Sequence, residues 1–198
     1  MQFQPETIYH IYNRGNRQQT IFFNRDNYIY FLEKVRKYML PCSDILCWCL
    51  MPNHFHFLVN TTEASCTMVE KQNLPVQRLT ESIRLLLSSY TKGIQKQQQF
   101  KGNLFQQKTK AKPVSGTERS YAFIAFNYIH QNPYNAGLVK KIEDWEFSSF
   151  RDYIGMRKGN LCNQQLAALL LDLDTNISNF YKASYMVIPD ADVKGILG

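Results

Sequence analysis

Two short apolar runs, residues 44–50 (Asp-Ile-Leu-Cys-Trp-Cys-Leu) and 53–59 (Asn-His-Phe-His-Phe-Leu-Val), follow one another with a tight Met51-Pro52-Asn53 connection between them. Each run is too short for an amphipathic helix and is rich in aromatic and branched side chains, so the pair predicts a β-hairpin. Side chains alternate along a strand, which puts His54, His56 and Leu58 on one face and Phe55, Phe57 and Val59 on the other. One face is built to pack; the other can carry chemistry, near the turn and hence at one end of a sheet. A His-x-His pair alone is as compatible with a surface detail as with a pair of ligands.

The rest of the chain frames that hairpin. Residues 7–13 (Thr-Ile-Tyr-His-Ile-Tyr-Asn) read as a strand that stops at the basic turn Arg14-Gly15-Asn16-Arg17. Asn24 is an N-cap, with Phe23 and Tyr28 placed as a hydrophobic staple. Tyr28, Phe31, Leu32, Val35, Tyr38 and Met39 then recur at helical spacing up to Pro41. After the hairpin, Pro75 is read as the opening of a second helix, with Val76, Leu79, Ile83, Leu86, Leu87, Tyr90 and Ile94 as its buried stripe. Residues 95–113 are the most basic stretch, and a fourth strand is expected near residues 104–112. Ser115-Gly116-Thr117-Glu118 has a capping-box pattern before a third helix over 121–131, predicted to end at Asn132 because Pro133 disfavours helical geometry in the residue before it. The order β-α-β-β-α-β-α predicts an α+β, ferredoxin-like antiparallel sheet with helices on one side, not a doubly wound one. Residues 1–140 are expected to form this domain and residues 141–198 a small, partly helical C-terminal extension with an Asn163-capped helix through Leu171.

Composition narrows the chemistry. An apolar fraction of 44% suits a folded domain, and no stretch reaches the roughly 18 apolar residues of a membrane span. The start of the chain lacks a basic region followed by an apolar run, so a cytoplasmic location is expected, and five cysteines, an odd number, are expected to be reduced thiols. Cys47 and Cys49 belong to a strand. A zinc site shared with the histidines would be conceivable, but no Cys-x-x-Cys pair supports it. Residues 1–160 carry 21 basic against 12 acidic residues, net +9, while residues 161–198 are net −2. The basic portion, with lysines among aromatic and amide side chains, suits phosphates and unstacked bases.

On the third predicted helix Tyr128 and Asn132 lie one turn apart on one face, which aims a phenol and an amide at the same place. Such a tyrosine is by default a half-buried core residue. His130 and Gln131 point away from that face.

Five motifs in order carry a resemblance: Tyr9-His10-Ile11-Tyr12-Asn13-Arg14-Gly15, the Met51–Val59 run, Gly102-Asn103-Leu104-Phe105-Gln106, Tyr128-Ile129-His130-Gln131-Asn132-Pro133 through Val139, and Trp145-Glu146-Phe147-Ser148-Ser149-Phe150. Over about residues 8–155 the chain resembles the single-tyrosine HUH transposases of the IS200-like superfamily, most of all the REP-associated branch. It departs at Tyr134-Asn135, where that branch more often carries a basic residue. The resemblance implies a ferredoxin-like catalytic domain with Tyr128 as nucleophile and His54, His56 and Asn132 as ligands of a divalent Mg or Mn ion. It implies single-stranded DNA bearing a hairpin, a REP-like palindrome, as partner, cut and rejoined through a covalent 5′-phosphotyrosine by a monomer or homodimer. Asn13, Arg14 and Arg17, with His10 beside them, fall where DNA contacts are implied, and Lys108, Lys110 and Lys112 suit nonspecific phosphate contacts. Two rivals stand beside this reading: a noncatalytic hairpin DNA-binding module on the same fold, and a water-activating nuclease, for which the sequence offers no acidic cluster.

Overall fold

The computed structural model describes residues 1–71, 74–114 and 120–197. Its centre is a four-stranded antiparallel sheet in the order β2-β3-β1-β6, formed by β1 (Ile8–Arg14), β2 (Ser43–Met51), β3 (His54–Thr61) and β6 (Lys110–Pro113). Helix α1 (Arg25–Tyr38) connects β1 to β2, the hairpin joins β2 to β3, and α3 (Arg78–Gln98) precedes β6, which is the ferredoxin-like arrangement. Between β3 and α3 come α2 (Glu63–Cys66) and a small hairpin, β4 (Met68–Lys71) with β5 (Leu74–Gln77).

Pleat alternation sorts the sheet into two faces as the histidine run predicts. Tyr9 and Ile11 of β1, Trp48 and Leu50 of β2, and Phe55, Phe57 and Val59 of β3 pack under α1 and α3, together with Phe31, Val35, Leu79, Ile83 and Tyr90. Leu58 joins Cys47, Cys49 and Met51 on the opposite face. That face is not bare: α4 (Ser120–Asn135), α6 (Gln164–Leu171), α7 (Ile177–Ser184) and α8 (Asp190–Leu197) cover it through Ala125, Phe126, Ile129, Ala167, Phe180 and Ile196. The sequence expectation of helices on one side is corrected here. An amphipathic α4 with no other partner buries its stripe on the second sheet face, and the C-terminal helices close around it.

Local signals resolve in instructive ways. Asn24 caps α1 by accepting from the Asn27 amide, but Phe23 is 44% exposed and it is Phe22 that stacks on Tyr28 at 4.3 Å, so the staple is made one residue earlier. Pro75 does not open a helix: it sits on β5 opposite Glu70, and Val76 lies in that strand, with α3 starting at Arg78. A two-stranded ribbon has an outer edge where the missing N–H of proline costs nothing. The fourth strand is shorter than expected, Lys110–Pro113, while Phe105 forms an isolated bridge with Gly15. Helix α4 runs through Pro133 to Asn135, because in the last turn the proline forfeits one bond, to the Ile129 carbonyl, and Gly137 at φ +69° then ends the segment. The predicted capping box at 115–118 lies outside the described residues. Asn163 caps α6 as read, accepting from the Leu166 amide. The Trp145–Phe150 motif seals the free edge of β2, with Leu50 donating to the Phe147 carbonyl and Ser149 to the Trp48 carbonyl, both at 2.9 Å, just ahead of the short α5 (Phe150–Tyr153). Such cover keeps an edge strand from pairing with another chain. All five cysteines are free thiols, with Cys47 and Cys49 buried in β2.

Candidate active site

Register brings the chemistry together. Tyr12 of β1 pairs with His56 on one side and Lys110 on the other, His10 with Leu58 and Lys112, and Arg14 with His54. Directly paired residues share a face, so His10, Tyr12, Arg14, His54, His56, Lys110 and Lys112 all lie on the side covered by α4. At the open end of that side is a cavity of about 300 Å³ lined by Tyr12, Asn13, Arg14, His54, His56, Gln106, Lys108, Lys110 and Tyr128. None of its lining residues is acidic, and five carry a basic or imidazole side chain in addition to the two tyrosines.

Helix α4 delivers the other half. Tyr128 stands edge-on to His56, ring centres 5.8 Å apart, and to His10 at 6.2 Å. One turn on, Asn132 Oδ1 lies 3.4 Å from His54 Nε2. The helix phase is fixed from behind: His130 points away to Ser149 Oγ at 2.8 Å, and Gln131 donates to the Ser184 and Met186 carbonyls, both at 2.8 Å. Of the two neighbours Gln131 and Asn132, it is therefore Asn132 that faces the histidines.

The donor set passes a test for a cation. His54 Nδ1 is 2.6 Å from Asn53 Oδ1, and the Asn53 amide nitrogen donates to the Gln18 carbonyl, so Nδ1 of His54 carries the proton and Nε2 is a bare lone pair. Nε2 then faces Asn132 Oδ1, another acceptor, while Asn132 Nδ2 is buried without a partner. Two acceptors 3.4 Å apart are the spacing of two donors about 2.1 Å from one shared ion. His56 Nε2 is likewise buried and unpartnered. Burial drives the His54 pKa below its ordinary value and that of His56 well below, the latter helped by the neighbouring imidazoles, so both rings are neutral and able to ligate at neutral pH. Among the described residues no group of three His, Cys, Asp or Glu side chains could hold a metal, so an ion here would rest on two imidazoles and an amide, without Cys49, although that residue is paired with His56 across the strands.

Burial also raises the Tyr128 pKa, offset in part by the nearby Asn132 side chain, although Asn132 Nδ2 makes no hydrogen bond of ordinary geometry. The phenol is therefore protonated at rest. Tyr12 shares the cavity, its pKa raised by burial and by Tyr128, and Lys110 Nζ lies 5.7 Å from its ring centre.

The remaining predicted DNA contacts divide. Arg14 and Arg17 are exposed, as are Lys108 and Lys110, with Lys112 half-buried. Asn13 is buried and fully engaged, donating to the Gln106 carbonyl and Thr109 Oγ1 and accepting from the Arg14 amide at 2.7 Å, so it braces the basic loop instead of projecting from it. Residues 102–106 complete that brace, since Asn16 donates to the Leu104 carbonyl and Gln106 to that of Arg14, both at 2.9 Å. Two participants were not assigned from the sequence: Tyr12, which lines the cavity, and the C-terminal Ile196, whose carbonyl lies 3.4 Å from His10 Nδ1. Period-two alternation along the first strand carries the signal for Tyr12; no sequence signal identifies Ile196.

No protein-family model matches the chain, and no curated protein matches it. A solved structure, that of a REP-associated tyrosine transposase bound to a REP hairpin, superposes with a TM-score of 0.56 over 78% of this chain and 83% of that one, at 18% identity. The two share a fold. No helix among the described residues is long and apolar enough to cross a membrane.

Proposed function

We propose that the protein is a single-tyrosine HUH transposase, a strand transferase that cuts and rejoins hairpin-bearing single-stranded DNA. The observation that carries this reading is the convergence of two neutral imidazoles, an amide oxygen and a half-buried phenol at one basic-rimmed cavity. The fold shared with a transposase bound to a REP hairpin supports the substrate class.

A divalent Mg²⁺ or Mn²⁺ held by His54, His56 and Asn132 would supply Lewis-acid charge to the scissile phosphate. The Tyr128 hydroxyl attacks phosphorus. An Oη–P bond forms as the P–O3′ bond breaks, the phenol loses its proton, and the departing 3′-oxygen takes one up. The products are a 5′-phosphotyrosine and a free 3′-hydroxyl, and attack by a 3′-hydroxyl on the phosphotyrosine reverses the step without an external energy source. Arg14, Lys108 and Lys110 on the rim suit flanking phosphates, and Arg17 and Lys112 extend that charge. Because Tyr128 faces the histidines of its own chain, the arrangement favours action in cis by a monomer. A cavity without a carboxylate weighs against activation of water by paired metal ions.

The test is incubation of wild-type protein and Tyr128→Phe with labelled single-stranded DNA carrying a hairpin and randomised flanks, with Mn²⁺, on a denaturing gel. A protein–DNA adduct present in wild type and lost in Tyr128→Phe is expected. Cuts that persist in Tyr128→Phe indicate hydrolysis; binding with neither cuts nor adduct indicates a noncatalytic hairpin-binding module.

A further inference from the structure

We propose that His10 is a positioning residue that holds His56 in its cation-binding tautomer, and that α8 holds His10 in turn through the Ile196 carbonyl; this rests on the reading of His56 as a ligand. A carbonyl only accepts, so the contact of His10 Nδ1 with the Ile196 oxygen, 3.4 Å, places a proton on Nδ1. His10 is fully buried, and its polar contacts are a carbonyl and a second imidazole with no carboxylate to pair a charge, so the neutral ring carries that one proton and Nε2 is bare. His10 Nε2 lies 2.8 Å from His56 Nδ1. The proton in that contact must come from His56, which leaves the lone pair of His56 on Nε2, the buried atom that has no partner within the protein.

The opposite tautomer is penalised twice. It would set two lone pairs against each other at 2.8 Å and leave a buried N–H at His56 Nε2 unsatisfied. A hydrogen bond at the remote ring nitrogen is the general means by which a ligating histidine is oriented. The His10 and His56 rings lie 19° from parallel with centres 5.0 Å apart, the arrangement of two rings joined edge to edge through that hydrogen bond. The last link lies 186 residues away. Ile196 is completely buried, and Gly195 leaves room for the Tyr121 ring, 3.2 Å from where a Cβ would stand. The C-terminal helix is thereby made part of the site's support.

The test uses the full-length protein without DNA. Nitrogen-15 spectra of the metal-free wild type are expected to show His56 protonated at Nδ1 and bare at Nε2, and His10 the same. His10→Phe, with folding checked by circular dichroism, is expected to lose that signature at His56 and to bind Mn²⁺ about 10–100-fold more weakly by calorimetry. His10→Gln offers an acceptor to His56 Nδ1 and a donor to the carbonyl, and is expected to recover most of the affinity. Ile196→Lys, which undocks α8, is expected to weaken Mn²⁺ binding several-fold. A wild-type His56 protonated at Nε2 overturns the proposal without recourse to any variant. So does unchanged Mn²⁺ affinity in His10→Phe, or His10→Gln binding as weakly as His10→Phe. Wild-type protein that has the stated tautomer but binds no Mn²⁺ overturns the reading of His56 as a ligand while leaving the hydrogen-bonded chain in place.

Discussion

Acidification should work against the anchorage at the back of α4. His130 is two positions from Tyr128, about 200° around the helix, so its anchorage helps set the angle at which Tyr128 and Asn132 are presented. It is fully buried, lies 2.8 Å from Ser149 Oγ, and has the Phe126 and Phe150 rings at 4.4 and 5.5 Å. Burial lowers its pKa from 6.5 to about 3. Between those values the unfolded chain binds the proton and the native one does not, so stability falls as pH falls from about 6.5 towards 3. At ~1.4 kcal/mol per pH unit, the 1.5 units from 6.5 to pH 5 correspond to about 2 kcal/mol from this residue. Urea unfolding at pH 7 and pH 5 in EDTA, followed by the fluorescence of Trp48 and Trp145, measures it. Wild type should lose about 2 kcal/mol more between the two pH values than His130→Gln, in which the other buried imidazoles still titrate. Equal losses in the two proteins would refute the claim that His130 is held neutral.

Further outcomes follow from the same geometry. His54→Ala and His56→Ala should each weaken Mn²⁺ binding by more than the ~10–100-fold typical of an outer partner, measured by calorimetry. Replacing Lys108, Lys110 and Lys112 together by alanine should reduce the slope of log affinity against log salt for single-stranded DNA by about 2, at roughly 0.7 per phosphate contact. Gly15→Ala should weaken DNA binding by displacing the Arg14–Arg17 loop while the core still unfolds cooperatively, because its Cβ would stand 2.0 Å from the Gln19 carbonyl oxygen.

What the sequence makes legible is local. The histidine hairpin, the Asn24 and Asn163 caps and the α3 stripe depend on neighbours within a turn or a pleat, and the phase of α4 follows from spacing alone. His54, His56, Tyr128 and Asn132 come together because two periodicities, 2 and 3.6, meet at one sheet end. The misreadings arise where proline has two meanings. Pro75 has the look of a helix start, yet lies on a ribbon edge, and Pro133 looks like a stop, yet is tolerated in a last turn. What was invisible is long-range: the cover on the second sheet face, and the link from Ile196 to His10 to His56, join residues with no periodic relation. Asn13 also braces the basic loop, because a buried amide with several partners nearby is engaged by them.

Single-tyrosine transesterification is tested by the polarity and location of the covalent bond. Single-stranded hairpin DNA labelled separately at each end is reacted with wild-type protein, and the adduct is digested and sequenced by mass spectrometry. The fragment on the 3′ side of the cut should stay attached through its 5′-phosphate to the peptide containing Tyr128, while the other fragment is released with a free 3′-hydroxyl. Attachment at Tyr12 or any other residue, or through a 3′-phosphate, would contradict that chemistry.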